Sequence, residues 1–477
     1  MFEKVPVMLD TRNISWQERY HASMIFTLRC KIMDKPGMLG KLITMIGQAG
    51  AHVGTINIVG LDSQYKLREV TIFCRDRRHL QDILDTVHQC EGIKVLDIRD
   101  DVLEIHRRGT VRLASKVPIT DLTDLRMLYT PGVASVCERI ITAPDVAWDL
   151  TGLCDRVAIV TNGTAVLGLG NIGALASLPV MEGKAAIFAE FAGISAFPVL
   201  IDSEDVDTIV ETVAHIASGF GAIQLEDISA PACFEIEEKL TNKLNIPVVH
   251  DDQHGTAIVT LAALINALKK VEKKPKDCSA IILGAGAAGH AIALILKEFG
   301  IGDIVVYDSF GPLYRGRIER MNPYKLKLAE LTNKYNQKCP LAEGFQDKDI
   351  FIGVAQPNLV SAEMIKSMAA NPIVFPLSNP VGEIDVEEAL SAGAGVAADG
   401  RTINNALAYP GLFRGALDAR ARRITPKMFL AAAIKLAQLA PEESWPLGGL
   451  LPNMLDRSVH KMVAEAVRQS TESDKNL

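Results

Sequence analysis

Four carboxylates fall in two adjacent pairs, Glu226-Asp227 and Asp251-Asp252, each directly after a short apolar run. The first run is Ala222-Ile223-Gln224-Leu225, and the second is Ile246-Pro247-Val248-Val249, which reaches its pair through His250. Runs of this length read as buried strands, and open α/β sheets bind ligands beyond the carboxyl ends of their strands. Acids gathered there repel one another unless a cation lies among them, so the pattern predicts a divalent-metal site. All-oxygen donors suit a hard cation, Mg²⁺ or Mn²⁺. Two other side chains could move protons. Lys184, in Val180-Met181-Glu182-Gly183-Lys184-Ala185-Ala186, lies between apolar segments where partial desolvation or a nearby metal would lower its pKa. Taken alone, such a lysine is more often a solvated surface charge. Tyr129, in Tyr129-Thr130-Pro131-Gly132-Val133-Ala134, follows a helical stretch marked by Leu122, Leu125 and Leu128, and alone reads as core more readily than as an acid.

A second chemistry lies further along. The buried-strand run Ala280-Ile281-Ile282-Leu283 is followed at once by Gly284-Ala285-Gly286-Ala287-Ala288-Gly289, a helix through Ile292, Leu294 and Ile295, and a strand Ile304-Val305-Val306-Tyr307-Asp308. Strand, glycines, helix, strand and terminal acid in that order form a dinucleotide fingerprint. Gly284, Gly286, Ala287, Ala288 and Gly289 are expected to take the pyrophosphate at a helix N-terminus. Asp308 is expected to accept the adenosine ribose hydroxyls and to repel a 2′-phosphate, favouring NAD, while Arg315 and Arg317 just downstream keep NADP open. His250 and His254 stand at i, i+4 without the glutamate of a zinc-protease helix, so helix-start hydrogen bonding is the better reading.

These residues need elements to position them, and 477 residues suit about two or three domains. Over 22–105 the pattern is β-α-β-β-α-β, beginning with Phe26, Leu28, Cys30 and Ile32 alternating against Thr27, Arg29 and Lys31. That is the ferredoxin-like plan. With the turn Asp34-Lys35-Pro36-Gly37 it resembles an ACT domain, which implies a small effector or pairing between copies. The charged stretch Glu104 to Arg108 reads as a linker. Residues 110–268 alternate strands with helices, which predicts a largely parallel α/β domain holding substrate and metal. Residues 269–435 read as a Rossmann-type NAD(P)-binding domain, and 436–477 as a helical C-terminal segment.

A net charge of −7 argues against nucleic-acid or anionic-membrane partners, which need a basic surface, and favours a small-molecule partner. Eight scattered cysteines, with no Cys-x-x-Cys, fit thiols in a reducing compartment. The N-terminal stretch bears Glu3, Lys4, Asp10 and Arg12 rather than a secretory apolar core, and Ala185 to Ile201 reads as packed core, not a membrane span. A cytoplasmic protein is expected.

The series Tyr129 to Ala134, Gly168-Leu169-Gly170-Asn171-Ile172-Gly173, Val180 to Lys184, Leu225-Glu226-Asp227-Ile228, His250-Asp251-Asp252-Gln253-His254-Gly255-Thr256-Ala257 and Ser378-Asn379-Pro380 resembles the malic enzymes, in order, over roughly 110–430. The resemblance is to the shorter bacterial type, with an ACT-like module in front. It implies oxidative decarboxylation of L-malate to pyruvate and carbon dioxide by NAD or NADP with Mg²⁺ or Mn²⁺. It places the metal on Glu226, Asp227 and Asp252, the general base on Lys184, the general acid on Tyr129, and Asp251 beside lysine and cofactor. Asn379 and Asn405 would hold substrate, with Asn379 also near the cofactor. Thr161-Asn162-Gly163-Thr164 lacks the arginine of longer family members, so Thr164 or backbone amides are expected to meet a substrate carboxylate. A homodimer or higher homo-oligomer is expected. Malolactic chemistry, an ACT-linked hydroxy-acid dehydrogenase and a nucleotide sensor are the competing readings.

Overall fold

A computed structural model describes residues 24–166, 169–442 and 449–472. The first two residues of the 22–105 module, the N-terminal charged residues, Gly168 and parts of 436–477 lie outside the described residues. Chain contacts divide at Arg112 into two compact units.

In the first unit, β1 (Met24–Met33), α1 (Met38–Gln48), β2 (His52–Leu61), β3 (Tyr65–Cys74), α2 (Arg77–His88) and β4 (Ile93–Asp100) follow the expected ferredoxin-like order. The strands form one antiparallel sheet in the order β2-β3-β1-β4. Period-two alternation buries Phe26, Leu28, Cys30 and Ile32 against Leu42, Ile46, Ile83 and Val87 of the two helices. On the opposite face Arg29 pairs with its cross-strand neighbour Glu69 at 2.7 Å. Asp76 starts α2 by accepting from the His79 amide at 2.8 Å. The stretch expected as a linker begins instead within a short helix, α3 (Asp101–Ile105), because Asp100 caps it by accepting from Leu103 N at 3.1 Å.

The second unit opens with α4 (Leu122–Leu128) and α5 (Val133–Thr142), neither of which buries a residue. Then come β5 (Arg156–Thr161), α6 (Ala174–Ala192), β6 (Ser195–Leu200), α7 (Val206–Ile216), β7 (Ala222–Leu225), α8 (Ala232–Lys243), β8 (Val248–His250) and α9 (Asp251–Lys270). The stretch expected as packed core, 185–201, is the end of α6 followed by β6. The strands form a parallel sheet in the order β6-β5-β7-β8. Because β5 has β6 on one side and β7 on the other, the topology switches there, and such crevices receive ligands.

A second sheet follows from β9 (Ser279–Leu283), α10 (Ala287–Phe299), β10 (Asp303–Asp308), β11 (Gly311–Pro312), α11 (Pro323–Leu331), β12 (Ile350–Gly353), β13 (Ile373–Pro376) and β14 (Val396–Ala397). Its order is β11-β10-β9-β12-β13-β14, parallel except for the β10–β11 hairpin. This is a Rossmann-type sheet with its switch between β9 and β12. Helix α9 is apolar nearly all round from Ala257 to Leu268 and is buried against α10 on one side and α13 (Pro426–Leu439) on the other. It joins the carboxylates at its start to the dinucleotide fold.

Helix α12 (Tyr409–Asp418) precedes α13, and α14 (Arg457–Glu472) closes the described chain. Helices α12 and α14 approach closely, since a Cβ on Gly415 would lie 2.4 Å from the Ala464 carbonyl oxygen. All eight cysteines are free thiols. Among the described residues no helix is long and apolar enough to cross a membrane.

Candidate active site

Strand β7 delivers Glu226 and Asp227 directly past its carboxyl end, and β8 passes through His250 to Asp251 and Asp252 at the start of α9. Glu226, Asp227 and Asp252 each offer a carboxylate oxygen within 4.8 Å of the others. Asp227 sits in left-handed backbone conformation, φ 52°, which aspartate tolerates better than most residues. Its amide donates to Asp252 at 2.9 Å, while its own Oδ2 is buried without a partner among the described residues. Gln224, inside the strand, donates to Glu226 at 2.6 Å and orients it.

Gathering these acids away from water disfavours their charged forms. Burial pushes Glu226 up to about 7, with Lys184 opposing and Asp252 adding to the rise. Burial and the neighbouring Glu226 and Asp252 push Asp227 up to about 8. Asp252 is also raised, chiefly by burial, and Asp251 is raised to about 6 for the same reason. An orphaned carboxylate oxygen among acids that resist ionisation is the environment a divalent cation relieves, and oxygen donors are the set Mg²⁺ and Mn²⁺ prefer. These residues fit such an ion.

Lys184 projects from the middle of α6 into the same cluster. Its ammonium contacts Asp251 Oδ2 and lies 2.9 Å from Glu226 Oε1. The sequence expectation of a lowered lysine pKa is reversed here. Burial does act in that direction, but Asp251 and Glu226 outweigh it and hold the ammonium well above its ordinary value. Asn405, expected to hold substrate, donates from Nδ2 to Asp251 Oδ2 at 2.9 Å. Glu237 of α8 fixes the start of α9 from behind, accepting from the His250 amide at 2.8 Å, from Gln253 at 3.1 Å and from His254. His254 therefore makes the expected helix-start bond, whereas the buried His250 ring makes none among the described residues.

Two expected site residues stand apart. Tyr129 is 67% exposed, and among the described residues its side chain makes no hydrogen bond or ring contact. No residue from Asp101 to Arg156 is buried, although this stretch carries Leu122, Leu125, Met127, Leu128 and Ile141. Thr164 donates its hydroxyl proton to Asn162 at 2.7 Å and accepts from Ser229 N at 3.0 Å, which spends the donor a substrate carboxylate would need.

Past the second sheet, Gly284, Gly286, Ala287, Ala288 and Gly289 form the turn from β9 into α10 at the switch point. Gly284 has φ 117°. A Cβ on Gly289 would strike the Gly284 carbonyl oxygen at 1.9 Å, whereas one on Gly286 would meet nothing within 4 Å. The two glycines thus do different jobs. Gly289→Ala is expected to destabilise the protein by about 1–3 kcal/mol without any ligand. Gly286→Ala should leave the melting temperature of the unliganded protein unchanged and weaken dinucleotide binding at least tenfold by titration calorimetry. Equal effects on both readouts would refute this division.

Asp308 ends β10 as expected, yet its carboxylate is engaged. Arg317 holds both oxygens, at 2.8 and 3.0 Å, Lys325 donates at 2.7 Å, and the Phe310 amide at 2.9 Å. Burial would raise its pKa, but Lys325 and Arg317 prevail and lower it. The expected repulsion of a 2′-phosphate by a bare Asp308 is therefore corrected, since two cations compensate that charge. Arg315 instead turns to the Glu330 carbonyl at 3.3 Å. Asn379 is exposed on the loop past β13, which Glu383 ties down by accepting from Ser378 Oγ at 2.5 Å and from Ala355 N at 2.7 Å.

The family described as "Malic enzyme, N-terminal domain" matches residues 108–205 and 203–241, and "Malic enzyme, NAD binding domain" matches 253–471. The chain belongs to the malic enzyme family. It is 42% identical over 451 residues to the NAD-dependent malic enzyme of Geobacillus stearothermophilus, covering 94% of each chain. It is 45% identical over 382 residues to a bifunctional malic/malolactic enzyme of Bacillus subtilis, covering 79% of this chain and 93% of that one. A crystal structure of an NAD-dependent malic enzyme from Thermotoga maritima superimposes with a TM-score of 0.74 at 41% identity, over 78% of this chain and 99% of that one. The malic enzyme fold thus occupies the second unit. The Geobacillus match is longer than that unit and reaches into the first.

Sequence reasoning missed Gln224, Glu237, Glu383 and Tyr409 around this malic enzyme site. Gln224 carried a usable signal, as a polar residue inside an apolar strand two positions before a carboxylate. The other three act through contacts distant in sequence.

Proposed function

We infer that the protein oxidises and decarboxylates L-malate to pyruvate and carbon dioxide, reducing NAD, with Mg²⁺ or Mn²⁺. The observation that carries this reading is Lys184 held between Asp251 and Glu226, one of the three clustered carboxylates, where a proton acceptor and a cation site meet. Glu226, Asp227 and Asp252 would hold the ion. Bound there, the ion would supply Lewis-acid chemistry, favouring negative charge on the malate hydroxyl oxygen.

Lys184 takes the hydroxyl proton as hydride leaves C2 for the nicotinamide. Glu226 is one of the residues that would hold the ion, and with its charge so engaged only Asp251 would keep the lysine protonated, so burial would favour the neutral amine. Asp251 and Asn405 keep its nitrogen aimed. After oxidation the C3–C4 bond breaks, releasing carbon dioxide and leaving an enolate, whose C3 receives a proton from Tyr129 to give pyruvate. Gly284, Gly286, Ala287, Ala288 and Gly289 seat the pyrophosphate, and Asn379 reaches toward the nicotinamide side. Pairing of Asp308 with Arg317 and Lys325 leaves NADP open as a secondary cofactor.

Tyr129 can serve only if something brings it to Lys184. A second copy of the chain is the occupant that fits: it would cover the apolar stretch from Leu122 to Ile141 and receive Tyr129 into its own site. The working form is on this reading a homo-oligomer with shared sites. The first unit, with its ACT-like sheet order and Asp34–Gly37 turn, would bind a small effector. Eight free thiols suit a cytoplasmic location.

Purified protein should reduce NAD with malate and Mn²⁺, form pyruvate stoichiometrically, prefer NAD to NADP, and lose turnover with a chelator. The similarity to a bifunctional malic/malolactic enzyme favours one second reading, in which lactate forms with no net NADH. Absence of both products would refute the assignment.

A further inference from the structure

Lys184 has a third neighbour besides its two carboxylates. Its Nζ sits 4.5 Å from the centre of the Tyr409 ring. Tyr409 is fully buried at the start of α12, and its hydroxyl makes no hydrogen bond among the described residues. The ring itself is fixed. Phe188 meets it edge-on, centroids 4.9 Å apart at 65°, and Phe188 also meets Phe413 at 5.4 Å and 81°. Lys184 and Phe188 are one turn apart on α6, as Tyr409 and Phe413 are on α12, so two i, i+4 stripes face each other. Asn405, a further four residues upstream, donates to Asp251. One segment, 405–409, thereby touches both members of the Lys184–Asp251 pair.

We propose that Tyr409 is a positioning residue whose ring face holds the Lys184 ammonium between Asp251 and Glu226. A lysine has a flexible four-carbon stem and a point charge, so two carboxylates alone leave its head room to move. The negative face of a desolvated ring supplies a third attraction to the same nitrogen. The hydroxyl is dispensable for this role. The inference rests on Lys184 as the proton acceptor proposed above.

Two variants separate ring from hydroxyl. Tyr409→Phe keeps the π face and should stay within about twofold of wild-type kcat, whereas Tyr409→Leu removes it and should lower kcat about tenfold with KM for NAD unchanged. Crystal structures supply a readout independent of turnover. In Tyr409→Leu the Lys184 nitrogen should leave hydrogen-bonding range of Glu226, and in Tyr409→Phe it should remain. A Leu variant with Lys184 still in place overturns the proposal, as does a Phe variant as impaired as the Leu variant. If wild-type protein turns over no malate, the functional reading fails, and the crystallographic comparison still decides what Tyr409 does.

Discussion

Mixing two inactive variants, Lys184→Ala and Tyr129→Phe, and allowing their subunits to exchange should restore malate oxidation to about one quarter of the wild-type rate. Each variant alone should lose about 10²–10⁴-fold, because each would remove a group to which the proposed reaction assigns a proton. The recovery follows from where the chain puts these side chains. Lys184 is enclosed by Asp251, Glu226 and Tyr409, whereas Tyr129 is exposed on a stretch that buries nothing. If Tyr129 serves the site of a second copy, a mixed dimer has one site with both groups intact and one with neither. Random exchange makes about half the dimers mixed, and one of their two sites is competent, which gives about one quarter. Recovery is measured as NADH formation after co-incubation, against each variant incubated alone. No recovery, with subunit exchange verified by mass, would show that tyrosine and lysine act within one chain.

The burial of large side chains tells the same story from its other end. Helices α4 and α5 carry apolar residues at helical spacing, yet the described chain provides no surface that buries them. A sequence shows that such a helix has an apolar stripe. It does not show whether the surface that meets the stripe belongs to the same molecule. That is why Tyr129 read as core or as acid, and why neither reading foresaw its exposure.

Other features were legible to different degrees for physical reasons. Alternation along β1 reported burial directly, since Phe26, Leu28, Cys30 and Ile32 are at most 4% exposed. The acidic doublets were legible because a short apolar strand followed by charge has few other placements in a parallel sheet. Asp308 was read correctly as the end of β10 but wrongly as a bare carboxylate, because its partners Arg317 and Lys325 arrive through a loop and a helix start with no periodic signal. Thr164 read as a substrate contact because the loop lacks an arginine, and its hydrogen bond to Asn162 is specific to the turn. Tyr409 lies 225 residues beyond Lys184, and only the crossing of α6 with α12 brings them together.

Without a divalent cation, the clustered acids should contribute a loss of stability as pH rises from about 4 to about 8, and saturating Mn²⁺ should cancel that part of the pH dependence. The sign follows from Glu226 and Asp227, whose ordinary values of 4.5 and 3.8 rise to about 7 and about 8 on folding. Between those limits the folded chain retains protons that the unfolded chain has released, so raising the pH favours unfolding. Lys184, held above its ordinary 10.5, contributes only at more alkaline pH. Coordination by Glu226, Asp227 and Asp252 would make protons unnecessary, so the melting-temperature gap between Mn²⁺ and chelator should widen from pH 5 to pH 8. Asp227→Asn should narrow that gap and reduce turnover by about two orders of magnitude or more, because it replaces the carboxylate whose Oδ2 has no partner among the described residues. Scanning calorimetry at several pH values measures the gap. A gap that is constant with pH, or that Asp227→Asn leaves intact, would mean that these three acids do not hold the ion. Lys184 would then be gripped by carboxylates serving only structure, and the proton transfer assigned to it would lose its setting.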